Sequence, residues 1–133
     1  MKFNHLNGYE SVTLPTETIN GKRYYVTPDG LKYPSVTTVT GLHSAKWVAK
    51  WRAHVGEEQA NKISGQAAAR GSRYHLLQED YINNKDISEQ LEKATPLDKM
   101  MFNQTKEITD KIGDIYMLEG SLYSDDLCIA GRV

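Results

Sequence analysis

His75 and Glu79 are the residues of this chain best suited to chemistry. They stand four apart in Arg70-Gly71-Ser72-Arg73-Tyr74-His75-Leu76-Leu77-Gln78-Glu79, a run that reads as a helix following an alanine-rich stretch. That spacing puts an imidazole and a carboxylate one turn apart on one face, where both can reach a single metal ion or a scissile phosphate. Each also has an ordinary reading. A histidine beside Leu76, Leu77 and Tyr81 is commonly a hydrogen-bonded, partly buried residue, and a helical glutamate is commonly a surface charge. Glu119 is the third candidate, because it falls in an apolar run, Ile115-Tyr116-Met117-Leu118-Glu119-Gly120-Ser121-Leu122-Tyr123. Burying a carboxylate in such a strand is costly unless it is paired or metal-bound; on a solvent-facing side the cost disappears. Ala67, Ala68, Ala69 and Gly71 give the helix a small-residue surface that a phosphate or another backbone can approach closely.

The elements that must position these groups follow from turn residues and hydrophobic period. Residues 9–33 read as a small antiparallel β unit. Ser11-Val12-Thr13-Leu14 alternates, Asn20-Gly21 is a hairpin turn, and Thr27-Pro28-Asp29-Gly30 is a second turn. Ser35 caps a short helix over 36–42, and Ser44 caps another over 44–54 with Trp47, Val48 and Trp51 on one face. One helix, or two with a kink near Ser64-Gly65, then runs to about Ile82. A turn at Asn83-Asn84-Lys85-Asp86 precedes a weak helix, and Pro96 opens another that runs to Gly113. The pattern then changes period, with a strand over 115–123, a turn at Ser124-Asp125-Asp126 and a partner strand to Val133. The order predicts an α+β fold in a single domain, 1–133.

Composition narrows the class. A 39% hydrophobic and 25% charged chain of 133 residues predicts a globular protein rather than a disordered one. The single cysteine, Cys128, excludes an internal disulfide framework and a thiolate-rich zinc site. There is no apolar run long enough to cross a bilayer and no signal-peptide h-region at Met1-Lys2-Phe3-Asn4-His5, so a soluble, cytoplasmic protein without membrane contact is expected. The net charge of -1 hides an asymmetry. Between Gly41 and Tyr74 there are six basic residues against two glutamates; between His75 and Asp126 there are twelve acidic residues against five lysines. This suits a protein that grips a polyanion on one side and holds divalent cations on the other, although ordinary surface charge also produces such patterns.

Several of these segments recur together in one known family. Tyr33-Pro34-Ser35-Val36-Thr37-Thr38-Val39, then Trp51, then Ala69-Arg70-Gly71-Ser72-Arg73-Tyr74-His75 with Glu79, then Glu119 and Ile129-Ala130-Gly131, resemble the first half of a PD-(D/E)XK exonuclease. The resemblance is to the RecB-type branch, which includes phage exonucleases and the mitochondrial genome maintenance exonuclease. It spans about residues 30–133 and implies the start of the central sheet of a restriction-endonuclease-like fold. It implies His75 and Glu119 as ligands of Mg²⁺ or Mn²⁺, Glu79 and Glu119 as catalytic carboxylates, and Arg70, Arg73, Lys46 and Lys50 as DNA-phosphate contacts. The family's G-x-x-D aspartate, its E-x-K pair and its Q-x-x-x-Y motif are not among the 133 residues. An exodeoxyribonuclease that needs a complementary C-terminal polypeptide is therefore expected, with the isolated chain inactive. The apolar run ending at Val133 predicts an open sheet edge for that polypeptide or for self-association. A phage-encoded protein would act in host cytoplasm, in DNA recombination or breakdown. A non-catalytic module that binds DNA or a nuclease is the competing expectation.

Overall fold

The computed structural model describes residues 2–9 and 12–133 and is a mixed α+β chain. The polypeptide gathers into two compact units rather than around one centre: Gly56–Tyr116 with the N-terminal residues 2–7, and Gly8–Val55 with Met117–Val133.

The first unit is mainly helical. Helix α2 (Glu57–Ile82) begins at Gly56, whose φ of 85° is a left-handed value that glycine adopts without strain. Glu57 and Glu58 in its first turn suit the positive end of the helix dipole. The helix continues through Ser64-Gly65 unbroken, so of the two expected alternatives the single helix, 26 residues long, is the one that forms. Helix α3 (Ser88–Lys93) and helix α4 (Pro96–Thr109) follow. Thr95 caps α4 by accepting the amide of Asp98 at 3.2 Å, and Pro96 takes the first helical position, where its missing N–H is not needed. Leu77, Ile87 and Phe102 form the core, with Tyr74, Tyr81 and Leu91 packed against it. Tyr81 meets Phe102 edge-to-face at 5.2 Å and Phe3 at 5.3 Å, the geometry that aromatic quadrupoles favour.

A parallel pairing of β1 (Asn4–His5) with β5 (Asp114–Ile115) stitches the N-terminal residues to this unit. Two residues are too short to show a period, which is why the sequence pattern does not reveal β1. Side chains replace the missing ladder. Asn84 accepts the Phe3 amide at 2.7 Å and donates to the Phe3 carbonyl at 2.9 Å, while His5 Nε2 bonds the Ile82 carbonyl at 2.8 Å.

In the second unit, β2 (Thr16–Ile19), β3 (Lys22–Val26) and β4 (Lys32–Pro34) form an antiparallel sheet. Asn20 and Gly21, with φ of 52° and 75°, make the tight turn expected of that dipeptide. The first strand lies later than 11–14: Val12 to Leu14 are outside any strand, and Ser11 falls outside the described residues. Leu14 is nevertheless a core residue, packed with Tyr25, Tyr33 and Ala130. Helix α1 (Val36–Val55) is one continuous helix of 20 residues, not two. Ser35 caps it, its Oγ accepting the Thr38 amide at 3.1 Å. Ser44 lies in its interior and donates to the Gly41 carbonyl at 3.2 Å, so its hydroxyl is satisfied without ending a helix.

The final hairpin pairs β6 (Ser121–Ser124) with β7 (Ile129–Arg132), and the turn spans residues 125–128. Ala130 also makes a parallel bridge to Ser35, so β7 is joined to the first sheet on its other side. Gly131 sits where a Cβ would come 3.3 Å from Val36 Cγ2, and the strand thereby lies against the start of α1. Tyr33 donates to Asp125 Oδ1 at 2.6 Å, a bond to a carboxylate that pushes the phenol up to about 12.

Candidate functional site

The rotation of α2 about its axis is set by its apolar side. Tyr74, Leu77 and Tyr81 recur at three and four residues and pack on the core, and Tyr74 is further tied by its hydroxyl to Thr105. Gln78 strengthens this attachment, donating to Tyr74 at 2.9 Å and to Thr105 at 2.7 Å. With about 100° per residue, the opposite face must carry Ala68, Gly71, Ser72, His75 and Glu79. These residues, with Leu76, line a shallow groove of about 510 Å³. At Gly71 a Cβ would meet nothing within 4 Å, so the groove floor is open to an incoming group.

The ligand atoms of His75 and Glu79 lie within 4.8 Å of each other. A divalent ion held at about 2.1 Å by two oxygens or nitrogens separates them by about 3–4 Å, so small side-chain rotations bring this pair to coordination distance. One imidazole nitrogen with one carboxylate suits Mn²⁺ somewhat better than Mg²⁺, which prefers oxygen throughout. Two donors on one helix form a clip and leave most of an octahedral sphere to other groups. The donor chemistry fits a divalent metal.

Glu119 is not in a strand. The expected strand over 115–123 is divided: Asp114–Ile115 pairs with β1 in the first unit, and Ser121–Ser124 pairs with β7 in the second. Glu119 falls in the bend between them, with φ of 56°. A backbone conformation in the left-handed region is uncommon for a residue other than glycine, asparagine or aspartate. Its carboxylate is half-buried and lies 3.7 Å from Arg132, while Gly120, the next residue, exchanges both backbone hydrogen bonds with Val133. The cost of burying a carboxylate in an apolar strand therefore does not apply; local backbone strain is the feature that distinguishes this glutamate.

The four cationic candidates separate into two kinds. Arg70 is about 140° around the helix from His75 and does not line the groove. Arg73 donates from Nε to Asp98 Oδ2 at 3.1 Å, holding a carboxylate that is only 3% exposed. Thr95 chiefly, and Arg73 after it, hold the Asp98 carboxyl below the ordinary value, so Arg73 has a structural task. Lys46 and Lys50 are exposed on α1, and Lys50 lies 5.7 Å from the Trp47 ring centre.

What the sequence pattern missed is the exposure of that helix. Trp47, Val48 and Trp51 share a face, as their spacing predicts, yet α1 contains no buried residue and Trp47 is 75% exposed. The signal available was the absence of any acidic residue from the 20-residue helix, together with the cations that flank each tryptophan. Among the described residues, no helix is long and apolar enough to cross a membrane. Comparison with family models, curated protein sequences and solved structures finds no match.

Proposed function

We propose that this chain is the metal-binding and DNA-gripping portion of a DNA exonuclease that hydrolyses phosphodiester bonds at DNA ends. The observation that carries the proposal is the pair of ligand atoms, His75 and Glu79, within 4.8 Å of each other on the small-residue face of α2. By the resemblance of its sequence, Glu119 is a further metal ligand in this reading, and Glu79 and Glu119 are the catalytic carboxylates. A bound Mg²⁺ or Mn²⁺ would polarise the scissile phosphate and make the attacking water more acidic. Ala68, Gly71 and Ser72 leave space beside His75 for the phosphate. Lys46 and Lys50 hold DNA by its backbone.

Three protein donors are too few for a tight Mg²⁺ site, and a nucleophile-orienting lysine of the E-x-K type is not among these residues. The reading therefore requires a second carboxylate and a lysine from outside these 133 residues. The test mixes this chain with a polypeptide carrying E-x-K and Q-x-x-x-Y motifs and follows release of nucleotides from end-labelled DNA with Mn²⁺. Digestion by the mixture, and its loss with His75→Ala, is the expected result. Binding of DNA without digestion in every mixture would leave the second reading.

That second reading is a non-catalytic DNA-binding module, and α1 favours it directly: an exposed, acid-free helix needs no metal to bind a polyanion. Mn²⁺ binding separates the two, because only the nuclease reading requires it.

A further inference from the structure

We infer that α1 is a binding surface for single-stranded nucleic acid, with Trp47 and Trp51 as a base-stacking platform and Lys46 and Lys50 as phosphate contacts. The inference deepens the proposed DNA-directed function and rests on it, since it names which form of nucleic acid the chain holds. Three observations carry it. First, the two indoles are exposed where burial is the norm, 75% at Trp47 and 36% at Trp51. They are four residues apart, about 6 Å along one helical face, so successive unstacked bases can meet both rings. Second, His43, Lys46, Lys50 and His54 follow one another at intervals of three and four and form a stripe beside the tryptophans. Third, α1 has no acidic residue anywhere in its length, so a polyanion laid along it meets no like charge.

Each part is explained by a strand whose bases are free, and not by the other occupants of such a face. A protein partner that buried Trp47 would leave Lys46 and Lys50 to be matched by its own carboxylates. A duplex hides its base faces and would use the lysines alone, leaving the indoles without a role. Single strands offer a phosphate and a π-face at every nucleotide, which is the pairing α1 presents.

Trp47 and Trp51 are the only tryptophans in the chain, so its indole fluorescence reports α1 and nothing else. The experiment titrates the full chain with an oligothymidylate and with a duplex of equal length, at several salt concentrations. Strong quenching and tighter binding with the single strand are expected. Trp47→Ala or Trp51→Ala should weaken that binding roughly five- to a hundredfold, and Trp47→Phe much less. Lys46→Ala and Lys50→Ala should each lower the salt slope by about 0.7. Circular dichroism checks that each variant folds, and quenching of the unaltered chain stands independently of every variant. Equal affinity for duplex and single strand would overturn the inference. So would fluorescence that responds only to anionic lipid vesicles, or only to the chain's own concentration. Mn²⁺ binding measured on the same preparations keeps the outcomes distinct. If it survives while single-strand preference fails, the platform alone is wrong; if it is absent even with the polypeptide carrying E-x-K and Q-x-x-x-Y added, the nuclease reading fails whatever α1 binds.

Discussion

Replacing Glu119 by glycine separates a functional carboxylate from a structural one. The residue sits at φ 56°, where an ordinary side chain costs about 1–2 kcal/mol that glycine does not incur. Against that gain, glycine widens the freedom of the unfolded chain by about 0.4–1 kcal/mol. The ion pair with Arg132, at 3.7 Å and more than half exposed on the arginine side, contributes about 0–1 kcal/mol. The opposing effects nearly cancel, so Glu119→Gly should change the unfolding free energy by less than about 1 kcal/mol. Urea unfolding monitored by circular dichroism measures this as a shift in midpoint at constant slope.

Metal affinity should respond in another way. If Glu119 is a ligand as proposed, losing its carboxylate should weaken Mn²⁺ binding by about tenfold or more, which titration against free Mn²⁺ reads directly. Glu119→Gln completes the comparison, because it keeps the strained backbone and removes the charge. A glutamate retained at a strained position for its carboxylate gives two variants that both lose Mn²⁺, with the glycine variant the more stable. A glycine variant destabilised by more than about 2 kcal/mol, with Mn²⁺ affinity unchanged, would show that Glu119 serves the bend. That result would refute the assignment and leave His75 and Glu79 without their third donor.

Four further outcomes follow from the packing. Phe102→Ala removes the ring at the centre of the helical core, which is 2% exposed, and should cost about 3–5 kcal/mol; hydrogen exchange should show α4 and the C-terminal half of α2 losing protection together. Thr95→Ala removes the cap of α4 and should cost about 1 kcal/mol in urea unfolding. Asp80 is held below the ordinary carboxyl value of 3.8 by Lys85 first and Gln90 second, and Asp98 by Thr95 and Arg73. Depressed carboxyls stabilise the fold above the unfolded value and lose that effect as pH falls through the folded one, so acid unfolding should set in below pH 3.8, with Asp80→Asn less stable at neutral pH and converging on the parent in acid. Tyr33 behaves oppositely: with its phenol pushed up from 10 to about 12, its contribution is complete below pH 10 and lost between pH 10 and about 12, and Tyr33→Phe should remove that alkaline dependence in thermal melts.

Local chemistry was legible where one residue type has one use. Asn20-Gly21 marks its turn because both residues must take positive φ, and Thr95-Pro96 marks a helix start because the cap accepts one orphan amide, that of Asp98, and the proline removes another. The clip on α2 was legible for the same reason, since helical spacing alone puts His75 beside Glu79. Ser44 misled because a serine caps a helix or bonds back to its own helix with equal ease, and only the neighbouring chain decides which. The strand expected over 115–123 misled because its apolar residues are divided between two partners, β1 and β7, that lie far away in sequence. No local period encodes which distant segment will claim a strand.

The two faces of α2 show how far a fold can specify a site. Tyr74, Leu77 and Tyr81 are fixed by aromatic packing and by hydrogen bonds to Thr105 and Asp110, and they leave the helix no freedom to turn. His75 is therefore carried on the side of α2 away from the core. On α1 the reverse holds. It has no buried residue, and Trp47 is 75% and Trp51 36% exposed. Stability thus explains why the groove of His75 and Glu79 is where it is, but it does not explain Trp47 and Trp51. An exposed side chain of that size, on a helix that carries cations and no acid, is what the proposed binding role of α1 would explain.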